Sequence, residues 1–106
     1  MGRKIAAALE ASPHSARVAV VASGGLSHFL CEEALDRRVI AALRCGDAQT
    51  LAAIPQQSML SGSSEIRNWI MVGGMVAALK PDFTEYIPVR RTPVGTGIGL
   101  GFMTWK

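Results

Sequence analysis

Two side chains in this sequence stand where they could move a proton or hold a cation, His28 and Glu65. His28 ends the run Arg17-Val18-Ala19-Val20-Val21-Ala22-Ser23-Gly24-Gly25-Leu26-Ser27-His28, in which an apolar strand stops at a pair of glycines. Open α/β sheets place their chemistry at the carboxyl ends of strands, and glycine there lets backbone or ligand approach with no Cβ in the way. Imidazole is the side chain best suited to exchange protons near neutral pH. Glu65 leaves the loop Ser61-Gly62-Ser63-Ser64 at the first position of a predicted helix, a good place for a carboxylate to bind a cation. Plainer roles are open to both. A histidine at a turn serves as a polar surface residue, and a glutamate at a helix N-terminus complements the macrodipole by roughly a few tenths of a kcal/mol. One histidine and one carboxylate do not make a metal site, and the second histidine, His14, falls in a turn elsewhere.

Other chemistries fit less well. Ser27 beside His28 is no nucleophile–base pair, because adjacent residues on a strand–helix turn rarely converge and no orienting acid accompanies them. The tail Gly95-Thr96-Gly97-Ile98-Gly99-Leu100-Gly101 has dinucleotide-like glycine spacing, but no helix follows to receive a pyrophosphate. Alternating glycine in a terminal strand marks a bend or close backbone approach instead. The turn Ser23-Gly24-Gly25 ahead of a helix could hold an anion on its amides, the main alternative to acid–base or metal chemistry.

The elements that would position these residues follow from pattern. Residues 3–11 form an alanine-rich helix ended by Ser12-Pro13. Residues 17–22 are a nearly continuous apolar strand, as in a sheet covered on both faces. A helix from His28 to Arg44 carries Leu35, Val39, Ala42 and Leu43 at helical spacing and stops at Gly46. Asp47 caps a short helix through Ile54, broken by Pro55, and a polar loop runs from Gln56 to Ser64. The helix from Glu65 to Leu79 is apolar on most sides, which implies burial in a larger assembly. Its Gly73-Gly74 pair costs about 1 kcal/mol per residue relative to alanine, so close packing against a neighbour is the reason to expect. Two strands close the chain, Phe83 to Val89 and Gly97 to Trp105, the last with an edge that another element would cover. The fold class is α/β: helix, strand, three helices and a terminal pair of strands.

Composition bounds the partners. With 106 residues, 49% hydrophobic and 18% charged, the chain is one domain at most, with more apolar residues than so small a surface can hide. That excess points to oligomerisation or to a missing neighbour. The net charge of +3 is scattered, without the clustered basic face a nucleic-acid partner requires. No leader is visible and no apolar stretch reaches the roughly 20 residues that span a bilayer, so a cytoplasmic protein without membrane contact is expected. Cys31 and Cys45, about 21 Å apart on one predicted helix, read as reduced thiols.

Three segments, in order and in register, resemble one family. The run from Arg17 to His28 resembles the strand and active-site turn of class III extradiol ring-cleavage dioxygenases, in particular the LigB-like, beta-type catalytic subunit of protocatechuate 4,5-dioxygenase and its gallate and methylgallate relatives. Ser61-Gly62-Ser63-Ser64-Glu65-Ile66-Arg67-Asn68-Trp69-Ile70 is similar to the segment that supplies that family's iron-binding glutamate. Tyr86-Ile87-Pro88-Val89, Gly95-Thr96-Gly97-Ile98-Gly99 and Phe102-Met103-Thr104-Trp105 are similar to its C-terminus. The likeness covers essentially the whole chain.

The resemblance implies the C-terminal part of a LigB-like α/β core, somewhat over a third of a catalytic subunit. It implies His28 as catalytic acid–base and Glu65 as the carboxylate of a 2-His-1-carboxylate site for Fe(II). Ser27, Gly24 and Gly25 would form the pocket wall. The implied reaction is meta cleavage of a catecholic aromatic acid, such as protocatechuate or gallate, by dioxygen. The family draws its two histidine ligands from a region N-terminal to everything present here, and His14 matches a variable loop. The chain alone is therefore expected to be inactive. Either a partner chain or a homo-oligomer completes it, or it is an inert remnant or interaction module.

Overall fold

The structure, a computed structural model, describes residues 1–106. It mixes helix and sheet, as the α/β pattern requires. Helix α1 spans Gly2–Glu10 and strand β1 His28–Leu30; α2 spans Glu33–Cys45, α3 Ala48–Ala52 and α4 Ile66–Met75; β2 spans Pro81–Arg90 and β3 Thr96–Trp105. The predicted polar loop is instead two 3-10 turns, Gln56–Met59 and Ser61–Glu65.

The sheet is antiparallel, in the order β1-β3-β2. The terminal pair of strands is a hairpin in which Pro88 faces Gly99 and Arg90 faces Gly97. Its connection closes on Arg91 N–H to Thr96 O (2.7 Å), with Gly95 at φ 88°. Pro88 is tolerated because β2 lies at the sheet edge. On the other side β1 pairs only with Thr96–Ile98, and Gly99 adds two bonds, Leu26 N–H to its carbonyl and its own N–H to Ser27 O (2.9 Å each). Past Gly99, β3 is paired on one side alone, so the open edge expected of the last strand is its second half.

The bare face of β3 explains its glycines. A Cβ on Gly99 would drive into the Asp36 carboxylate, and one on Gly101 would press on Leu26 and the Trp69 ring. The close approach predicted from alternating glycine is therefore what the sheet uses. Helix α2 supplies four of the ten core residues, Val39, Ile40, Ala42 and Leu43, joined by Leu26, Leu51, Ile54, Met59, Ile66 and Trp69. It ends at Gly46 in the left-handed region (φ 66°), and Asp47 caps α3 by accepting from Thr50 N–H at 3.0 Å. Gly73 and Gly74 behave as the packing argument requires. A Cβ on Gly73 would strike Leu43, and one on Gly74 would lie 3.1 Å from Gly2 Cα, where α1 crosses α4.

Two expectations are corrected. The helix predicted from His28 begins at Glu33, because residues 26–30 bond to β3, Cys31 N–H bonds to Gly95 O just ahead of it, and Phe29 takes φ 66°, which no helix accommodates. Residues 17–22 are not a strand: they bond to no backbone group, and Val18 and Val21 are 60% and 80% exposed. A strand needs a neighbour to exist, and this apolar run has none. It flanks an apolar cavity of about 470 Å³ against Trp69, Val72, Val76, Met103 and Trp105. Only 17 of the 106 residues are buried, so most of the hydrophobic half of the chain stays in contact with solvent. No helix is long and apolar enough to cross a membrane.

The α1–α4 crossing is testable through Gly74→Leu. The side chain meets the Gly2–Arg3 backbone, so urea unfolding should show a loss of about 1–3 kcal/mol from overpacking, with α1 amides the first to lose exchange protection. Unchanged stability and protection would place α1 elsewhere.

Candidate functional site

The Ser23–Gly25 turn, β1 and the second 3-10 turn bring His28 and Glu65 together. Gly24 takes φ 101°, a conformation only glycine adopts cheaply, and the Glu65 carboxylate lies directly on its Cα. A methyl on Gly25 would sit 3.1 Å from His28 Cε1. Gly24 thus lies against Glu65 and Gly25 against His28. The turn is strapped to α4 by two hydrogen bonds, Asn68 Nδ2–H to Ser23 O and Trp69 Nε1–H to Gly24 O, both 3.1 Å. Glu65, Asn68 and Trp69 lie at i, i+3 and i+4, one side of one helix end. That spacing was readable in the sequence, although the role of Asn68 and Trp69 was not assigned from it. The turn leads into β1 and not into a helix, and the group resting on it is Glu65.

His28 is fixed at three atoms. Its backbone N–H donates to Ser63 Oγ (3.2 Å), its Nδ1 lies 3.0 Å from Leu26 O, and its Nε2 lies 3.3 Å from Glu65 Oε2. A carbonyl only accepts, so Nδ1 carries the proton and Nε2 is the working nitrogen. A bare Nε2 would set its lone pair against a carboxylate oxygen; the approach calls for a proton or a cation between them. The pair is half-open to solvent, with side chains 25% and 43% exposed. Beside it lies a cavity of about 380 Å³ bordered by Phe29, Leu30, Gln57, Ser58, Leu60 and Ser61. Phe29 and Ser61, the only non-glycine residues with positive φ, both border it. Strained backbone of this kind gathers at ligand sites.

Ser27, placed on the pocket wall by the resemblance, is instead fully buried beneath it. Its N–H and O–H donate to the two oxygens of Asp36 (2.9 and 2.6 Å), and its Oγ accepts from Glu32 N–H (2.9 Å). Tyr86 O–H donates to the same carboxylate at 2.7 Å. Burial, and then the Asp36 hydrogen bond, push the Tyr86 hydroxyl far above its ordinary range. Above this cluster Arg90 and Arg37 flank Glu33 at 2.7 and 2.9 Å and hold its carboxyl below the usual range, Arg90 most strongly. Cys31 and Cys45 are free thiols, and His14 is exposed.

Nowhere do three His, Cys, Asp or Glu side chains converge, so a three-donor iron site does not fit the donors of this chain by itself. What the arrangement offers is one imidazole nitrogen able to exchange a proton and one carboxylate facing it.

Two outcomes follow. Gly24→Ala forces alanine into a left-handed conformation and its methyl into Glu65, so stability should fall by about 1–3 kcal/mol and the His28 ring resonances should shift; unchanged values for both would contradict the packing of Glu65 on the turn. Tyr86, the sole tyrosine, has a folded pKa raised above its unfolded value of about 10. Its stabilising contribution is therefore full below about pH 10 and lost as pH rises above it. Tyrosinate absorbance should grow only as the chain unfolds; ionisation near pH 10 in a folded chain would contradict the buried hydroxyl.

No protein-family model, curated protein or solved structure matches this chain.

Proposed function

We propose that this chain furnishes the acid–base and carboxylate side of an extradiol ring-cleaving site, which a partner completes in the cytoplasm. The observation that carries the reading is the approach of His28 Nε2 to Glu65 Oε2 at 3.3 Å. These are the two residues that the resemblance to class III dioxygenases nominates, far apart in sequence and adjacent in space. The Leu26 carbonyl fixes the ring proton on Nδ1, so His28 Nε2 takes a proton from a catecholic hydroxyl and later returns it. The cavity beside His28, with hydroxyls of Ser58 and Ser61 among Phe29 and Leu60, suits a small aromatic acid such as protocatechuate or gallate. Fe(II) would be held by Glu65 together with two histidines from outside this chain.

The partner half is supported by what is uncovered. Residues 17–22 carry the composition of a central strand and pair with nothing, and the second half of β3 has a free edge. A neighbouring strand from a chain carrying the histidine ligands would satisfy both. Without it the chain is inert.

The test is anaerobic Fe(II) titration followed by assay of catechol cleavage under oxygen, for the chain alone and together with a segment supplying the two histidines. The chain alone should bind Fe(II) weakly and turn over nothing. The completed site should form ring-opened product. In it Glu65→Ala should lose the iron, and His28→Gln should keep the iron but lose about 10²- to 10⁴-fold in turnover. Tight stoichiometric binding by the chain alone, abolished by Glu65→Ala, would mean that a homo-oligomer completes the site. A completed site that binds iron independently of Glu65 would sink the assignment.

A further inference from the structure

Asp36 is the most deeply placed ionisable group of the chain: fully buried, on α2, beneath the strand end that carries His28. No cation pairs with it. Three donors surround it instead, Ser27 N–H (2.9 Å), Ser27 O–H (2.6 Å) and Tyr86 O–H (2.7 Å). Two of the three belong to the residue immediately before His28. Gly99, whose N–H holds Ser27 O, leaves the space that the carboxylate fills.

Ile98 and Gly99, successive residues of β3, face opposite sides of the sheet; His28 pairs with Ile98, and Ser27 is bonded to Gly99. Gripping Ser27 at both its N–H and its hydroxyl fixes that side chain on the α2 face of β3, and so commits His28 to the other face. There its partners wait: Leu26 O for Nδ1, Ser63 Oγ for the backbone N–H and Glu65 for Nε2. Nδ1 bonds within its own turn, and Ser63 and Glu65 lie on the second 3-10 turn and its junction with α4, so the chain is oriented from the β3 side, by the backbone bonds of Leu26 and Ser27 to Gly99 together with the grip on the Ser27 side chain. The grip on Ser27 is the fully buried one, and it precedes the others along the chain of support.

We propose that Asp36, acting through Ser27, is the positioning residue that orients the His28 imidazole toward Glu65. The inference rests on the reading of His28 as the working base, but it concerns the ring's placement and is tested without turnover. In D36N the amide nitrogen can only donate to the Ser27 and Tyr86 hydroxyls, so both bonds must reverse while Ser27 Oγ still accepts from Glu32 N–H, and Ser27→Ala removes the hydroxyl bonds to Asp36 and Glu32 while keeping the backbone one. Tyr86→Phe removes a donor to Asp36 but leaves every bond of Ser27 in place.

The experiment is NMR of the histidine rings in the full chain, where His14, the only other histidine, is an internal reference. In the unaltered protein His28 should keep a proton on Nδ1 whether or not Nε2 also carries one, and its Cε1 proton should show a dipolar contact to Gly25. In D36N and in Ser27→Ala that contact should weaken severalfold and the ring should become a tautomer mixture, with His14 unmoved. Tyr86→Phe should lower stability yet retain the His28 signature, which a merely structural role for the cluster would not allow. If D36N does not fold, Ser27→Ala decides. A folded Ser27→Ala or D36N with the His28 signature intact overturns the proposal, as does its loss in Tyr86→Phe to the same degree. If ring placement follows Asp36 and Ser27 but the completed site cleaves no catechol, the positioning stands and the dioxygenase reading falls.

Discussion

Everything near the site depends on β3 having no side chains where α2 and α4 press on it. Gly99 admits the Asp36 carboxylate and Gly101 admits Leu26 and Trp69. Burying a carboxyl group is unfavourable by several kcal/mol unless its oxygens are satisfied, and the bare strand brings Ser27 and Tyr86 close enough to satisfy them. No buried side-chain polar atom is left without a partner. A larger residue at Gly99 would push α2 off the sheet and break the Asp36 contacts together. The glycine run that superficially suggests nucleotide binding is thus a packing device, and the site sits on the structure that it makes possible.

A second constraint is the mismatch between composition and burial. A chain that is 49% hydrophobic but buries only 17 residues has not finished covering its apolar surface. The exposed residues include Val18 and Val21, the hairpin residues Phe83, Ile87 and Phe102, and Phe29 and Leu30 beside the cavity. Exposed apolar residues and a free strand edge are features that a further polypeptide would cover under the proposed function. The proposed function asks the same neighbour for the donors that Glu65 would need beside it.

Local rules were sufficient where the physics is local. Gly46 and Asp47 mark a helix end and a helix start because left-handed glycine and side-chain capping act within one turn, and the hairpin follows from its own alternation. The pairing of His28 with Glu65 was nominated by resemblance, since nothing in spacing alone joins residues so far apart. The two elements misread from pattern, a helix from His28 and a strand over residues 17–22, were decided by neighbours: β3 captures the former, and the latter has none. Asp36 was overlooked, although it left a signal. Positions 36, 39, 40 and 43 form the apolar stripe of α2, and a carboxylate in such a stripe needs buried donors. The chain's single tyrosine and the serine before its better-placed histidine are those donors.

The division of labour between the two faces of the strand end follows from this. On one face Ser27, Asp36 and Tyr86 form a cluster in which every buried polar side-chain atom has a partner. On the other, His28 and Glu65 are half-exposed and face each other across a gap that a proton or cation must fill. Rigidity comes from the buried face and reactivity from the open one, joined by a single peptide unit between Ser27 and His28. Because a two-residue period transmits orientation with no flexible side chain in between, the imidazole is held in place even where the site around it is incomplete. That separation leaves the ring held from the buried side while Nε2 stays open toward Glu65.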